Sequence, residues 1–174
     1  MRIPGRGPDL SFAHTWDSCL AAAGVVGFAG QGWLTTLDAH LSDDHRGAVT
    51  FVDASGVSWA FTATGATFPG TRVPLYRSPI GQPWRLTVAD PAASARATVA
   101  YTLTDVLSGA TLHFDAPGHL LSAADSYGNA NTVAPSGDGP WPGTETNSGG
   151  RVLTFDDYGS ASAPNPVGAR RKVC

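Results

Sequence analysis

TVAYTLTDVLSGATLHFDAPGHLLSAADSYGNANTVA, residues 98–134, is the stretch of the chain that decides its fold. Short runs of β-branched, aromatic and aliphatic residues alternate here with turn residues. Gly109, Gly118 and Gly128 follow one another at intervals of nine and ten residues. A reversal every 8 to 12 residues or so is typical of a regular series of antiparallel strands. We therefore predict a mainly β protein, built as an antiparallel meander of hairpins.

The reversals share the motif Asp-x-x-Gly. Asp favours the first position of a type I turn, and Gly takes the left-handed conformation that closes it. The motif occurs at residues 53–56, 115–118, 125–128 and 156–159, and more loosely at residues 105–109. The structural turn residues that we assign are Asp53, Gly56, Gly109, Asp115, Gly118, Asp125, Gly128, Asp156 and Gly159.

One copy of the motif calls for a different turn. In residues 115–118, Pro117 would occupy the third position of a type I turn, where proline is disfavoured. Residues 116–119 fit a type II turn instead, with Pro117 second and Gly118 third. We therefore predict a type II turn at residues 116–119.

The remaining segments divide the chain into four regions. Residues 1–134 form the β-rich N-terminal segment and the first hairpin repeats, with a strong hairpin around Asp53. Within them, residues 64–83 hold four prolines and are predicted to be mostly loop. Residues 135–150 have little to bury and are predicted to be a flexible Pro/Gly loop. Residues 151–159 form a final partial repeat. Residues 160–174 show no strand pattern, which predicts a disordered tail.

The composition excludes several classes of function. The net charge is −3 and no basic patch precedes residue 170, so we expect no nucleic-acid binding. The longest apolar stretch, residues 19–26, is too short to insert into a membrane, and the first residues do not resemble a signal peptide. The two cysteines are Cys19 and Cys174, and we expect no structural disulfide because a chain terminus frays.

No catalytic, cofactor-binding or metal-binding motif is present. Residues 40–45 contain two histidines in a polar segment, but nothing closes a coordination shell around them, so we favour a solvated turn. His113 and His119 flank one hairpin tip and are interpreted as ordinary strand residues. Asp156 and Asp157 are adjacent, which is poor geometry for an acid–base pair. We predict that the protein is not an enzyme and needs no cofactor.

The five tryptophans could instead stack on sugar rings. Four of them lie in or beside predicted strands and are interpreted as core anchors: Trp16, Trp33, Trp59 and Trp84. Trp141 lies in the Pro/Gly region and is the one residue that we assign as a possible carbohydrate contact.

The opening residues resemble a known family. The run IPGRGPDLSF at residues 3–12, followed by Thr15 and by Gly-x-Gly-Trp at residues 30–33, is similar to the N-terminal segment of Rhs proteins. These are large bacterial YD-repeat proteins related to teneurins, and their repeat has a Tyr-Asp-x-x-Gly-Arg-Leu core. Residues 114–120 and 155–159 resemble that core, with Phe in place of Tyr and His119 in place of Arg. Residues 125–129 resemble the Asp-x-x-Gly-Asn half that often follows it.

The resemblance implies a wall segment of a hollow β-shell that encloses a toxin. It implies downstream YD repeats and that toxin as partners, and a secreted or cell-surface location. The acidic residues that cleave such shells belong to a later core region that is not found in this chain, so the resemblance implies no catalytic residue here.

The sequence thus leaves two hypotheses. The first is a non-enzymatic structural repeat module of an Rhs-type shell, for toxin delivery or cell-surface contact. The second is a carbohydrate-binding surface β-module that uses Trp141. Under the first hypothesis the strand at residues 152–155 would have an unpaired edge, so we expect the chain alone to be marginally stable.

Overall fold

The computed structural model of the protein describes residues 2–3, 8–89, 99–136 and 141–155. This part of the chain contains one helix and seventeen strands, which confirms the mainly β class. The helix is α1 (Ser18–Ala22). The strands are β1 (Arg2–Ile3), β2 (Leu10–Ser11), β3 (His14–Trp16), β4 (Val26–Gly27), β5 (Gly30–Gln31), β6 (Trp33–Thr35), β7 (His40–Asp43), β8 (Ala48–Val52), β9 (Ser58–Thr67), β10 (Pro74–Arg77), β11 (Trp84–Val88), β12 (Tyr101–Asp105), β13 (Thr111–Phe114), β14 (Leu120–Ala124), β15 (Ala130–Pro135), β16 (Pro142–Thr146) and β17 (Val152–Thr154).

The largest sheet is the predicted meander. Strands β11 to β17 form one seven-stranded sheet in which each strand pairs with the next along the chain. Every pairing is antiparallel. Tyr101 lies opposite Phe114 and Leu103 opposite Leu112. Because opposite residues point to the same face, the apolar side chains of neighbouring strands collect on one side of the sheet.

The prediction of a flexible loop over residues 135–150 is wrong for residues 142–146. Strand β16 lies inside that range and pairs with both β15 and β17. Pro142 is its first residue, where the missing N–H of proline is tolerated. The prolines and glycines around β16 indicated a loop in the sequence, and the strand between them is only five residues long. Residues 137–140 lie outside the described part of the chain.

The second sheet has four strands, in the order β10-β9-β8-β7. The hairpin predicted around Asp53 is confirmed, with Phe51 opposite Trp59 and Val49 opposite Phe61. Residues 64–83, predicted to be mostly loop, also contain the end of β9, which continues to Thr67, and the short strand β10, which follows at Pro74. Pro74 again stands at the first position of its strand, and the other prolines of this region lie between strands.

The two sheets enclose the main hydrophobic core. Phe61, Leu103 and Phe114 are completely buried in it, and the rings of Phe51 and Phe114 pack with centroids 6.0 Å apart. The Tyr101 hydroxyl donates a hydrogen bond of 2.8 Å to Asp43 Oδ2. Burial, together with this carboxylate, raises the pKa of Tyr101. The phenol therefore stays protonated and holds β12 against the end of β7.

The Asp-x-x-Gly turns have a common hydrogen-bond pattern. At Asp53, the backbone N–H donates to the Val57 carbonyl at 2.9 Å, and the Gly56 N–H donates to the Asp53 carbonyl at 2.9 Å. Asp53 Oδ1 accepts from the N–H groups of Ser55 and Val57 at 2.8 and 3.0 Å. Gly56 has a φ of +83°, which glycine adopts without strain. The carboxylate thus satisfies backbone donors that the turn leaves unpaired.

The residues 115–118 form the same turn, so the prediction of a type II turn at residues 116–119 is wrong. The Gly118 N–H donates to the Asp115 carbonyl at 3.1 Å, and the Asp115 N–H donates to the His119 carbonyl at 3.0 Å. Asp115 Oδ1 accepts the His119 N–H at 2.6 Å. Pro117 occupies the position whose N–H bonds to the carboxylate in the other copies, and a proline has none to offer. Asp115 Oδ1 still accepts the second N–H, that of His119, and this hydrogen bond retains the turn type.

Gly118 also joins the two sheets. The Leu41 N–H of β7 donates to the Gly118 carbonyl at 2.9 Å, and His40 and His119 form a β-bridge. Gly118 has a φ of +97°. A Cβ at this position would lie 2.8 Å from the Leu41 carbonyl carbon and closer still to its oxygen. The tip of the β13–β14 hairpin can therefore dock on the edge of β7 only with glycine here.

The N-terminal segment, residues 8–38, covers the other end of the seven-stranded sheet. Helix α1 begins at Asp17, whose Oδ1 accepts the N–H groups of Cys19 and Leu20 at 2.7 and 3.3 Å. Leu10 is completely buried, and the neighbouring Asp9 carbonyl accepts a hydrogen bond of 3.1 Å from Asn131 Nδ2. This segment therefore closes the core beside β15.

An aromatic cluster fixes the N-terminal segment to the last strands. It consists of Phe12, Phe28, Trp141 and Phe155. The Phe155 ring lies with its centroid 5.3 Å from both Phe12 and Phe28, and the Phe28 centroid lies 6.3 Å from that of Trp141.

The expectation of no disulfide is wrong for Cys19, which is disulfide-bonded in the structure. Cys174 lies outside the described residues. So do the predicted turn residues Asp156 and Gly159 and the predicted tail over residues 160–174.

The docking at Gly118 predicts an unequal effect of two identical substitutions. We expect Gly128→Ala to lower the free energy of unfolding by about 1 to 2 kcal/mol, the cost of a left-handed non-glycine residue. Gly128 has a φ of +82° and nothing within 4 Å of an added Cβ, so strain is its only penalty. Gly118→Ala should lower the free energy of unfolding clearly more, because the added Cβ also forces β7 and the hairpin tip apart. Urea unfolding of both variants measures the difference, and equal losses would contradict the docking role.

Candidate functional site

A cleft of about 580 Å³ opens where the N-terminal segment, β7 and the seven-stranded sheet meet. One wall consists of residues 25–28 and 34–40. The opposite wall consists of the β13–β14 hairpin tip with parts of β14, β15 and β16. Most lining side chains are apolar, among them Val26, Leu37, Leu120, Val133 and Trp141. An apolar concavity with a few polar groups is the usual form of a binding site.

The polar groups of the cleft lie at the contact between β7 and the hairpin tip. His119 Nδ1 lies 3.0 Å from Asp115 Oδ2, and His40 Nδ1 lies 2.8 Å from the Asp38 carbonyl oxygen. All four residues line the cleft. Two imidazoles and one carboxylate therefore meet in a mostly apolar pocket.

The Asp38 side chain shapes the cleft rather than facing a ligand. Its Oδ1 accepts the Phe28 N–H at 2.6 Å. Its Oδ2 accepts from the N–H and the Oγ1 of Thr35 at 2.6 and 2.7 Å. With both oxygens engaged, this carboxylate joins the turn after β4, at Phe28, to the end of β6, at Thr35.

Trp141 lines the cleft and is 39% exposed. Its ring packs at 41° to Phe28, so one part of the indole is occupied by the aromatic cluster. The other four tryptophans lie in strands, and Trp59 and Trp84 pack against the main core. This agrees with the interpretation of Trp59 and Trp84 as core anchors and leaves Trp141 as the indole at the cleft.

The predicted site residues are not gathered in one place. Asp115 and Trp141 line the cleft, whereas Asp53, Gly56, Gly109, Asp125 and Gly128 lie at separate hairpin turns. The looser motif at residues 105–109 is a longer version of the same turn, with the Gly109 N–H donating to the Asp105 carbonyl at 2.8 Å. The described turn residues therefore lie at hairpin turns, and Asp115 does so at the edge of the cleft.

Two further copies of the turn were missed in the sequence. Residues 147–150 begin with Asn147, whose Oδ1 accepts the N–H groups of Gly149 and Arg151 at 3.0 Å each. Residues 44–47 read Asp-His-Arg-Gly, and Asp44 Oδ1 accepts from Arg46 and Ala48 at 2.8 and 2.9 Å. Residues 44–47 fit the Asp-x-x-Gly motif as stated. Residues 147–150 fit it with Asn in place of Asp.

The sequence places His40 near His45 and His113 near His119, but the structure pairs the histidines differently. His45 has a φ of +54° in the turn at Asp44, and its side chain is 85% exposed. His113 accepts or donates a 3.1 Å hydrogen bond with Thr102 on the neighbouring strand. His40 and His119, which are far apart in the sequence, are the two that meet.

A second polar feature is buried under the N-terminal segment. Asn131, Glu145 and Asn147 are 5, 6 and 3% exposed. Asn131 Nδ2 donates to Glu145 Oε1 at 3.0 Å. Among the described residues, Asn131 Oδ1, Glu145 Oε2 and Asn147 Nδ2 find no hydrogen-bond partner. Burial raises the pKa of Glu145, and the hydrogen bond from Asn131 opposes that shift only in part.

The described ranges contain neither a membrane-spanning helix nor a cluster of three or more potential metal ligands. No helix there is long and apolar enough to cross a membrane. Nor does that part of the chain hold a group of three or more His, Cys, Asp or Glu residues that could bind a metal ion.

Comparison with known proteins finds one family model that matches part of the chain. Residues 1–61 match the family model described as a domain of unknown function, DUF6531. The match covers the N-terminal segment and β7, β8 and the start of β9. No curated protein and no solved structure matches the chain.

The buried Glu145 predicts a pH-dependent stability. Its raised pKa means that folding favours the protonated carboxyl, so its contribution is fully present below the ordinary value of 4.5 and is lost as pH rises through the raised pKa. Glu145→Gln keeps the shape and stays neutral. We expect the variant to gain stability over the wild type as pH rises above 4.5, measured by urea unfolding across a pH series.

Asp125→Asn is the matched control. The Asn129 side-chain amide and backbone N–H groups lower the pKa of Asp125, so its contribution is present above the ordinary value and is lost as pH falls. The control should therefore be less stable than the wild type above that ordinary value, and the difference should disappear as pH falls. A difference between Glu145→Gln and the wild type that does not change with pH would contradict the prediction.

Proposed function

We propose that this chain is a non-enzymatic structural module, the first wall segment of a YD-repeat shell of the Rhs type. The observation that carries the proposal is the seven-stranded meander, in which four of the six connections are turns of the Asp/Asn-x-x-Gly type and β17 is the last strand. The matched DUF6531 domain is often found N-terminal to Rhs/YD repeats, which supports the same reading.

The outer edge of β17 is suited to receive another strand. The Phe155 N–H donates inward to the Gly143 carbonyl at 2.8 Å. Because donors alternate along an antiparallel strand, the N–H of Thr154 points away from β16. Thr154 is exposed, and Val152 is 51% exposed. Within the described residues no strand pairs with this edge, and a following repeat would satisfy it.

The N-terminal segment supports the proposal as a cap for the sheet. It seats Leu10 and the aromatic cluster on the same face of β15–β17 that the four-stranded sheet covers at β11–β13. Repeat arrays need a terminal unit that closes the exposed end of their continuous core. A cap at the beginning and an open strand at the end are the features of a first wall panel.

The two faces of the seven-stranded sheet differ in a way that suits a wall. One face is apolar and covered. The other is lined by short polar side chains that lie opposite one another from strand to strand: Thr87, Thr102, His113, Ser122, Thr132 and Thr146. A wall that separates an enclosed toxin from solvent needs a water-compatible face of this kind. Toxin delivery or cell-surface contact, and secretion to the cell surface, belong to this proposal.

A carbohydrate-binding module is the second candidate, and the position of Trp141 in the cleft favours it. An exposed indole beside polar groups can stack on a sugar ring. A glycan array distinguishes the two functions. Binding that is lost in Trp141→Ala would favour the carbohydrate module, and an array without signal would argue against it.

The edge strand gives the test of the wall proposal. We expect the chain alone to self-associate through β17, with Thr154→Pro weakening this association. Proline at an outward-facing N–H leaves the β16–β17 pairing intact but removes a donor from the edge. Sedimentation velocity over a concentration series measures the association, and circular dichroism checks the fold.

Thr154→Val is the control, since it retains the N–H and should associate like the wild type. A monodisperse wild-type monomer with a sharp, cooperative thermal transition would contradict the open edge. The reading frame that continues from this chain provides an independent check. It should encode further YD repeats, and a frame without repeats or toxin domain would refute the wall proposal.

A further inference from the structure

The docking of the hairpin tip on β7 places His40 opposite His119. The Leu41 N–H donates to the Gly118 carbonyl at 2.9 Å, and His40 and His119 pair across an antiparallel bridge. This hydrogen bond joins the residues flanking the pair, so the two histidines form a non-hydrogen-bonded pair, the type whose side chains lie closest. Opposite residues share a face, and both imidazoles line the cleft.

The same nitrogen of each ring is already engaged. His40 Nδ1 lies 2.8 Å from the Asp38 carbonyl oxygen, which can only accept, so Nδ1 carries the proton. His119 Nδ1 lies 3.0 Å from Asp115 Oδ2, a carboxylate oxygen, and donates in the same way. In a neutral imidazole the other nitrogen then holds a lone pair. Both rings are therefore fixed as the tautomer in which Nε2 is the acceptor.

This arrangement matches how proteins prepare histidine for metal ions. A ligating histidine usually donates its second ring N–H to a carboxylate or a backbone carbonyl, which orients the ring and raises its basicity. Here one ring has a carbonyl partner and the other a carboxylate partner. Hydrogen bonds to Asp38 and Asp115 thus supply the outer shell of a two-histidine site.

We propose that His40 Nε2 and His119 Nε2 bind a divalent transition-metal ion of the kind that prefers imidazole, such as Zn²⁺, Ni²⁺ or Cu²⁺. Water completes the coordination shell, because two protein ligands leave positions open. The His119 side chain is 44% exposed and His40 is exposed, so the ion reaches the site from solvent. A bound ion would link β7 to the hairpin tip and strengthen the junction of the two sheets.

Calorimetric titration of the untagged chain with NiCl₂, ZnCl₂ and CuCl₂ tests the site. We expect one ion per chain, and a loss of affinity of at least about tenfold in His40→Gln and in His119→Gln, since even outer-shell changes cost 10- to 100-fold. Electron paramagnetic resonance of the Cu²⁺ form should show two nitrogen ligands in the wild type and one in each variant. Thermal unfolding without metal checks that both variants fold.

Two controls separate this site from weak surface binding. His45→Asn removes an exposed imidazole from the same segment, and asparagine tolerates its left-handed backbone, so metal affinity should not change. Asp115→Asn retains an oxygen for the turn, as Asn147 shows, but weakens the outer shell of His119 and should lower affinity by about 10- to 100-fold. No binding by the wild type, or equal losses in His45→Asn and His40→Gln, would overturn the proposal.

Discussion

Four of the six connections in the seven-stranded sheet are tight turns whose backbone N–H groups need hydrogen-bond acceptors. A tight turn leaves amide N–H groups without strand partners, and unpaired donors are costly once the turn packs against other residues. The chain meets this constraint with a side-chain oxygen. Asp53, Asp125 and Asn147 each accept two backbone N–H groups, and a glycine three residues later supplies the left-handed conformation. Since the seven strands follow chain order, these turns set the pairing of β12 with β13, β13 with β14, β14 with β15 and β16 with β17.

The copy at Asp115 shows how one turn also organises tertiary structure. Its hairpin is the one whose tip reaches the other sheet, and Gly118 is buried against Leu41. The local demand for a left-handed residue and the packing demand for no side chain coincide at that position. The cleft is a consequence of this contact, because its polar end is formed where the tip meets β7.

The fold class and the meander could be predicted because both rest on local signals. Alternation over residues 101–105 and the turn motif need no knowledge of distant residues. The strands and the turn that the sequence did not reveal contain prolines: Pro74 and Pro142 begin strands, and Pro117 lies in a turn that the Asp115 carboxylate stabilises. Proline content predicts loops on average, but its effect depends on whether the missing N–H was needed. That is decided by strand pairing, which the sequence does not show.

The site could not be predicted for a different reason. His40 and His119 are 79 positions apart, and only the docking of a hairpin tip on an edge strand brings them together. Neither residue lies in a spacing typical of ligands, so a search by motif ignores the pair. Trp141 and Asp115 were identified individually, for stacking and for turn geometry, but nothing in the sequence placed them in one cleft.

The two covers of the seven-stranded sheet differ in what they bury. Under the four-stranded sheet lie aromatic and aliphatic side chains, with Phe61, Leu103 and Phe114 fully excluded from water. Under the N-terminal segment lie Asn131, Glu145 and Asn147, each with one polar atom left unpaired among the described residues. An unpaired buried polar group offsets part of the gain from burial. The N-terminal segment is therefore the less firmly held cover, and the cleft lies along its margin.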